Sequence, residues 1–254
     1  MGKHFSNKHF SNKHFNKKRR RNVRGFETAE IIEFQHSKFE AERDLPPIKP
    51  LNPAQATYLD ALRTSPQVVV LGPAGTGKTW IAATHAADLF RQGRIDKIIL
   101  TRPNVPCGRS LGYFPGTLEE KFAPWAVPVV EAIKERIGRA AYEIALKKGD
   151  IELVPFEVMR GRSWKSAFVL LDEAQNTTAA EIKTFLTRVG EDCSVVVNGD
   201  VNQCDLDQAS GLRTVIHMIK SQLLPVPVIE FTRQDIVRSG ICAMWVRAFD
   251  EANL

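Results

Sequence analysis

The sequence predicts an α/β fold with a central parallel sheet, and two observations carry this prediction. Short apolar runs typical of buried strands alternate with segments of helical pattern; the runs are residues 68–71, 97–101, 167–171, 194–198 and 226–231. Strands that alternate with helices form parallel sheets covered on both faces. Polar residues follow several of these runs, at the edge where such sheets bind ligands.

The helices are expected between these strands. Their predicted positions are 53–63, 79–91, stretches within 118–148, 179–189, 211–221 and 234–253. We treat 104–165 as an insertion between two core strands. It contains a loop at 108–116, the apolar helical stretches and a short strand-like run at 151–156.

Composition excludes several classes of protein. The chain has 254 residues, of which 43% are hydrophobic, so one large or two small domains have enough apolar side chains for a core. No apolar stretch is long enough to span a bilayer, and the basic N-terminus lacks an apolar signal region. The four cysteines are scattered without a C-x-x-C pair, so neither a zinc site nor a disulfide framework is expected. We therefore expect a cytoplasmic protein with reduced thiols.

The positive charge is concentrated in the first 25 residues. The net charge of the chain is +6, and residues 1–25 hold five Lys, four Arg and no acid, so the remainder sums to −3. A K-H-F-S-N repeat begins at Lys3 and recurs at Lys8, with a shorter third copy at Lys13. A five-residue period suits neither a helix nor a strand, so we predict a disordered tail at 1–25, a linker at 26–50 and a globular domain at 51–254. The tail could contact nucleic-acid phosphates and bases, or be a solvated segment of weak affinity.

The strongest motif follows the first strand and matches G-x-x-x-x-G-K-[ST], a phosphate-binding loop, at every fixed position. Its residues are Gly72, Pro73, Ala74, Gly75, Thr76, Gly77, Lys78 and Thr79. The glycines allow backbone N–H groups to face phosphate oxygens, Lys78 would reach the β- and γ-phosphates, and the Thr79 hydroxyl would bind Mg²⁺. A plain turn that binds nothing has no reason to place Gly-Lys-Thr at the start of a helix.

Two acids follow the strand at 167–171. Asp172 is placed to hold Mg²⁺ through water, and Glu173 to orient or deprotonate an attacking water. Gln175 is interpreted as a relay to the γ-phosphate or to a neighbouring segment. The second acid favours hydrolysis over phosphate transfer to a small molecule.

Two weaker signals lie beside these motifs. Asp200 and Gln203 follow the strand at 194–198, where they could sense the γ-phosphate or form an ordinary turn. Gln55 could read the adenine edge with its two-sided amide. The same segment also predicts a helix cap, with Asn52 as N-cap before Pro53, and both roles can hold together.

At the level of motifs the chain resembles the PhoH-like (phosphate-starvation-inducible) ATPases, relatives of superfamily 1 helicases. Three of the motifs are L-D-E-A-Q-N at 171–176, V-N-G-D at 197–200 and D-I-V-R-S at 235–239; the others lie at 52–55, 72–79, 101–103, 111–116, 120–124, 159–162, 185–188, 203–206 and 210–212. The resemblance covers about residues 51–245. It implies a single RecA-like P-loop NTPase domain that binds and hydrolyses ATP with Mg²⁺ and has a role on RNA or DNA.

Superfamily 1 helicases carry two such domains around one ATP, whereas this chain has one phosphate loop. We therefore expect the next subunit to close the site, in a head-to-tail ring that is a hexamer by analogy. An arginine from that subunit would stabilise transition-state charge; the candidates are Arg188 and Arg238, then Arg160 and Arg162, each otherwise a surface ion pair. Arg102 is expected to contact phosphate or nucleic acid, or to pack.

Aromatic side chains in or near the insertion could stack on bases. They are Tyr113, Phe114, Phe122, Trp125 and Trp164. A core or subunit-contact role is favoured, since Phe122 and Trp125 follow a helical apolar pattern.

The sequence thus predicts a ring-forming cytoplasmic ATPase that moves on or remodels single-stranded RNA or DNA. The alternative is an ATP-gated oligomeric interaction protein whose turnover ignores nucleic acid. A small-molecule kinase is disfavoured by Glu173 and by the lack of an obvious lid.

Overall fold

A computed structural model describes residues 45–103, 118–156, 159, 161–204, 206, 209–237, 240, 241, 244, 245 and 248. For 118–123 and 125 it describes the backbone alone. The tail at 1–25, most of the linker and the loop at 108–116 lie outside these residues.

Six helices and six strands have bounds within the described residues. The helices are α1 (Pro53–Thr64), α2 (Lys78–Arg91), α3 (Leu118–Ile137), α4 (Arg139–Lys148), α5 (Ala179–Leu186) and α6 (Gly211–Gln222). The strands are β1 (Gln67–Leu71), β2 (Lys97–Arg102), β3 (Ile151–Pro155), β4 (Ala167–Leu171), β5 (Ser194–Gly199) and β6 (Val228–Glu230). Short 3₁₀ helices lie at Ala174–Asn176 and Arg233–Asp235.

The strands form one parallel sheet in the order β3-β2-β4-β5-β1-β6. The predicted α/β class and parallel sheet are confirmed. The sheet has one strand more than predicted, because β3 pairs with β2 along its whole length, from Ile98↔Ile151 to Arg102↔Pro155. Residues 151–155 of the predicted insertion at 104–165 therefore form an edge strand of the core sheet. Because β5 lies between β1 and β4, the segments that follow these three strands are neighbours.

Helices cover both faces of the sheet, as expected for parallel strands. Val68 and Val70 of β1 belong to the core cluster formed with α1, α2, α3 and α4. Val69 and Leu71 belong to the opposite cluster, formed with α5 and α6. Because successive side chains of β1 point to opposite faces of the sheet, this strand contributes to both core clusters.

Helix α3 is tied to α2 by a nearly buried ion pair. Arg136 donates from Nε to Oδ1 of Asp88 at 2.8 Å and from Nη2 to Oδ2 at 2.6 Å. Its third donor group, Nη1, binds the Pro46 carbonyl at 2.9 Å. This paired geometry holds the helix that begins at the phosphate loop. Among the described helices, none combines the length and apolar character that a bilayer crossing requires.

Several predicted boundaries shift for tertiary reasons. Helix α5 ends at Leu186, not 189, because Val189 forms an isolated bridge with Trp164. Residues 118–148 divide into two helices at Gly138, whose φ is 85°. Strand β6 is shorter than the predicted 226–231.

The predicted helix at 234–253 is wrong at its start, since the 3₁₀ helix Arg233–Asp235 is followed by extended backbone at Ile236. Residues 240, 241, 244, 245 and 248 are helical. The rest of that segment lies outside the described residues.

Candidate nucleotide site

The phosphate-binding motif and the acidic motifs meet at the carboxyl edge of the sheet. Strand β1 leads into the phosphate loop, β4 into Asp172 and Glu173, and β5 into Asp200. The register pairs Val70 with Asn198 and Leu71 with Gly199, which sets these ends side by side.

The phosphate loop has a shape that only glycine permits at two positions. Gly72 has φ 140°, and a Cβ there would lie 2.6 Å from both the Cβ and the carbonyl oxygen of Phe231. Gly77 has φ 87°, caps α2, and leaves 3.0 Å between its ideal Cβ position and Gln55 Nε2. A helix N-terminus that opens from a close glycine turn is a site for phosphate.

Lys78 lies folded over this loop. Its Nζ donates to the carbonyl oxygens of Gly72 at 2.6 Å and Pro73 at 2.9 Å. Burial lowers the pKa of Lys78, while the carboxylates of Asp172, Asp200 and others act in the opposite direction. A phosphate can replace the two carbonyls, because hydrogen bonds between ionised partners are the stronger ones.

Thr79 and Asp172 form the candidate metal site. The Thr79 hydroxyl donates to Asp172 Oδ1 at 2.9 Å. Burial raises the pKa of Asp172 and the Glu173 carboxylate raises it further; Thr79, Arg102 and Lys78 oppose this rise. A divalent cation would favour the ionised carboxylate. Paired hydroxyl and carboxylate oxygens fit Mg²⁺, which prefers hard oxygen ligands.

Glu173 has a backbone conformation that is uncommon for its residue type. It has φ 53° and ψ 40°, and it starts the 3₁₀ helix at Ala174–Asn176. Its Oε2 accepts from Gln175 Nε2 at 2.6 Å, and its Oε1 lies 3.8 Å from Arg102 Nη2. Left-handed backbone is uncommon at a non-glycine residue, and it also occurs here at Ser166, Asp192 and Leu223.

Gln175 links the two acidic turns. It is buried, donates to Glu173, and accepts from the Asp200 backbone N–H at 3.0 Å through Oε1. Of its two predicted roles, the structure displays the contact with a neighbouring segment. Cys204 adds a bond from Sγ to the Gln175 carbonyl at 3.3 Å.

Asp200 and Gln203 differ in exposure. Asp200 is 6% exposed and accepts from the Asn202 N–H at 3.0 Å through Oδ1. Gln203 is exposed, and its backbone N–H donates to the Asp200 carbonyl at 3.2 Å. The turn predicted here is present, with Asp200 rather than Gln203 directed toward the interior.

Gln55 contacts the phosphate loop directly. Its Nε2 donates to the Thr76 carbonyl at 3.0 Å, and its Oε1 accepts from the Leu51 N–H at 2.8 Å. The predicted cap is confirmed, since Asn52 Oδ1 accepts from the Gln55 N–H at 2.8 Å with Pro53 at the first helical position. Both ends of the Gln55 amide are thus engaged in positioning the loop. Adenine recognition stays a prediction.

The candidate arginines are dispersed. Arg188 lies beside Trp164, which precedes β4, so it is at the edge of the sheet opposite the phosphate loop of its own chain. Arg162 forms an ion pair with Glu152 at 2.6 Å, which is the alternative expected for it. Arg102 lies in the site, near Glu173. Arg160 and Arg238 lie outside the described residues.

Of the predicted stacking aromatics, Trp164 is a core residue. It is 4% exposed and its ring centroid lies 6.2 Å from that of Phe185. Tyr113 and Phe114 lie outside the described residues, as do the side chains of Phe122 and Trp125.

Sequence reasoning missed a strap that runs along the phosphate loop at 231–237. The Val237 N–H donates to the Gly75 carbonyl at 3.0 Å, and Asn52 Nδ2 donates to the Asp235 carbonyl at 3.2 Å. The D-I-V-R-S motif at 235–239 was the available signal. It marks a segment that is distant in sequence and adjacent in space.

Sequence reasoning also missed Asn198. Its side chain is fully buried at the end of β5, and within the described chain neither amide atom has a hydrogen-bond partner. A polar residue that closes the run Val195–Val197 was the available signal.

Comparison with known proteins agrees with these motifs. The family model of the PhoH-like protein matches residues 47–250. The chain is 41% identical over 211 residues to Protein PhoH of Escherichia coli (strain K12), covering 82% of this chain and 59% of that protein. It is 41% identical over 201 residues to the PhoH-like protein of Bacillus subtilis (strain 168), covering 78% and 63%. The chain therefore spans about three-fifths of the length of these relatives.

Two solved structures align more distantly. The Pif1 helicase from Candida albicans covers 74% of this chain and 42% of its own, with TM-score 0.37 and 16% identity. A large terminase from a thermophilic bacteriophage covers 78% and 50%, with TM-score 0.45 and 9% identity. With the family match over 47–250 and relatives at 41% identity, the chain belongs to the PhoH-like protein family, as its motifs predict.

Proposed function

We propose that this chain is an ATPase that hydrolyses ATP with Mg²⁺. The observation that carries the proposal is the Thr79–Asp172 hydrogen bond of 2.9 Å, formed next to Glu173 and at the N-terminus of α2. It joins the phosphate-binding and acidic motifs, which are 93 residues apart in sequence, into one constellation.

Each side chain has a role in this proposal. The α2 N-terminus and Lys78 bind the phosphates. Thr79 and Asp172 would hold Mg²⁺, which when bound would neutralise phosphate charge. Glu173 orients the attacking water and accepts its proton, and Gln175 holds the Glu173 carboxylate in place.

Substitution of the loop lysine tests the ATPase proposal. Lys78→Ala should abolish phosphate release, with Lys165→Ala as a matched control, since Lys165 is a surface residue whose partner is Glu191 at 3.5 Å. Full activity in the Lys78→Ala protein would contradict the proposal, as would absence of Mg²⁺-dependent ATP turnover in the parent chain.

We further propose that hydrolysis is coupled to remodelling of single-stranded RNA or DNA by a hexameric ring in the cytoplasm. In such a ring Arg188, which lies at the edge of the sheet opposite the phosphate loop of its own chain, would serve the site of a neighbour. Support for nucleic acid comes from the nine basic residues in 1–25.

One comparison separates this proposal from an ATP-gated interaction protein. ATPase rates are measured with single-stranded RNA, with single-stranded DNA and with neither, for the full chain and for a version lacking residues 1–25. If nucleic acid still stimulates the ATPase rate after residues 1–25 are removed, the coupling belongs to the domain at 51–254. Rates indifferent to every nucleic acid, with an oligomer size that changes with ATP, would favour the interaction protein.

A further inference from the structure

Asn198 lies in the sheet beside Asp172. It pairs with Val70 on β1, and on its other side the β4–β5 ladder joins Leu170 to Val196. The ladder ends one pair later, at Leu171↔Val197, and Asp172 and Asn198 directly follow that last pair along the chain. Side chains two apart on a strand share a face. Val70, Leu170 and Val196 all belong to the core cluster on the α1 and α2 face, so the Asn198 amide lies on the face covered by the helix that starts at the phosphate loop.

This amide has no partner in the described part of the chain. Asn198 is 0% exposed, and neither Nδ2 nor Oδ1 is hydrogen-bonded. Tyr58 of α1 is also 0% exposed, packs in the same cluster, and has an unpartnered hydroxyl. An unpaired buried polar group costs about 1–3 kcal/mol. Tyr58 also lies close enough to Asp172 for its charge to act on it: burial, and after it the Asp172 carboxylate, raise the pKa of the Tyr58 hydroxyl. Buried water characteristically binds polar atoms that are otherwise unsatisfied, so one water between Asn198 and Tyr58 would satisfy both.

We propose that Asn198 and Tyr58 form a buried water site behind Asp172, and that Asn198 acts through this water as a positioning residue that orients the Asp172 carboxylate toward Mg²⁺. The inference rests on the proposed ATPase function and adds a side chain to it. A buried water requires two to four polar partners, and in this proposal they would be the Asn198 amide, the Tyr58 hydroxyl and Asp172.

The proposed role requires that the Asp172 carboxylate be oriented by a hydrogen bond in addition to the one from Thr79. Its Oδ1 accepts from the Thr79 hydroxyl. Ligand carboxylates are held by further hydrogen bonds in the layer behind the metal, and loss of such a bond typically weakens metal binding. Replacement of a buried amide that has no role beyond the core would leave Mg²⁺ affinity unchanged, so Mg²⁺ affinity rather than stability distinguishes the two cases.

A matched pair of variants tests the proposal. Asn198→Thr and Asn198→Val differ in one hydroxyl group, which alone can bind the water. Mg²⁺ is titrated against the binding of a fluorescent non-hydrolysable ATP analogue. We expect Asn198→Val to weaken Mg²⁺ affinity roughly ten- to a hundredfold, and Asn198→Thr to restore most of it. The thermal midpoint of Asn198→Val without Mg²⁺ should equal or exceed that of the parent.

Thr84→Val is the control, because Thr84 on α2 is 1% exposed and its hydroxyl is also unpartnered in the described chain. Its Mg²⁺ affinity should match that of the parent. If Asn198→Val fails to fold, Tyr58→Phe is used in its place. Weakened Mg²⁺ binding by Tyr58→Phe supports the water site, and unchanged Mg²⁺ binding overturns the proposal. Parent-like Mg²⁺ affinity in folded Asn198→Val also overturns it. Failure of the parent chain to bind the analogue would contradict the proposed function itself.

Discussion

The side-chain oxygen of Gln175 accepts a hydrogen bond from the backbone N–H of Asp200 at 3.0 Å, across 25 residues of sequence. The amide nitrogen of the same side chain donates to Glu173 at 2.6 Å. One buried glutamine therefore connects the turn after β4 with the turn after β5.

Loss of this connection should reduce turnover more than ATP binding. Gln175→Leu leaves the buried Asp200 N–H unpaired and removes the Gln175 hydrogen bond from the Glu173 carboxylate, so stability should fall by about 1–3 kcal/mol. We expect kcat to fall roughly a hundredfold, because a misplaced group near the reaction costs about that much. Steady-state kinetics and denaturant unfolding measure the two effects. Gln222→Leu, at an exposed position at the end of α6, is the control. An unchanged kcat in Gln175→Leu would remove Gln175 from the mechanism.

Two glycine substitutions distinguish two causes of lost stability at the phosphate loop: the steric contact with Phe231 and the left-handed backbone. In Gly72→Ala the new Cβ would meet Phe231 at 2.6 Å, whereas in Gly93→Ala, with φ 66°, it meets no atom within 4 Å. We expect Gly93→Ala to cost about 1–2 kcal/mol from its left-handed backbone. Gly72→Ala should cost about 3 kcal/mol or more. Chemical denaturation measures both, and equal losses would show that the Phe231 contact can relax.

Burial of His85 leads us to predict that the protein loses stability in mild acid. It lies on α2 against Phe168, and burial lowers its pKa; Arg63 and Arg94 act with burial, whereas Asp88 and a backbone contact at Leu62 act against it. Because the unfolded state binds the proton more readily, stability is full above the unfolded pKa of about 6.5 and falls as the pH drops from there toward the lower folded pKa.

A neutral replacement isolates the contribution of His85. Free energies of unfolding for the parent and for His85→Gln, measured between pH 7.5 and about 5, should diverge as the pH falls, since glutamine does not titrate. Parallel curves would show that other groups cause the acid sensitivity.

Arg188 predicts complementation between subunits. If it serves a neighbouring site, Arg188→Ala should lower kcat roughly a thousandfold, as removal of such an arginine does elsewhere. Mixing it with inactive Lys78→Ala subunits should restore part of the activity, because each Lys78→Ala subunit supplies an intact Arg188. Arg139→Ala, at an 82% exposed side chain, serves as the control. A mixture no more active than its parts would exclude Arg188 from this role.

Local sequence signals predicted the parts of the site that lie close together in the chain. The Asn52 cap and the strand–loop–helix around Gly77 depend on neighbouring residues, so their patterns are readable. The contact of Gln55 with Thr76 and the position of the strap at 231–237 depend on which elements become neighbours. No spacing in the sequence encodes that arrangement.

The sheet gives a second example of an arrangement that the sequence pattern does not predict. The run at 151–156 has the composition of a strand, but its pairing with β2 follows from the way α3 and α4 return the chain to the sheet edge. Asn198 was missed because its importance comes from a lack of partners in a buried layer. That property belongs to the packed structure alone.

The most direct test of the ATPase proposal is phosphate release by Glu173→Gln, measured beside Mg²⁺-dependent ATP binding. The amide keeps the shape of the side chain and removes its ability to accept a proton. We predict ATP binding close to that of the parent and hydrolysis lower by roughly a hundredfold or more. Glu191→Gln, at a surface position, should behave as the parent does. Hydrolysis by Glu173→Gln at the parent rate would contradict the proposal.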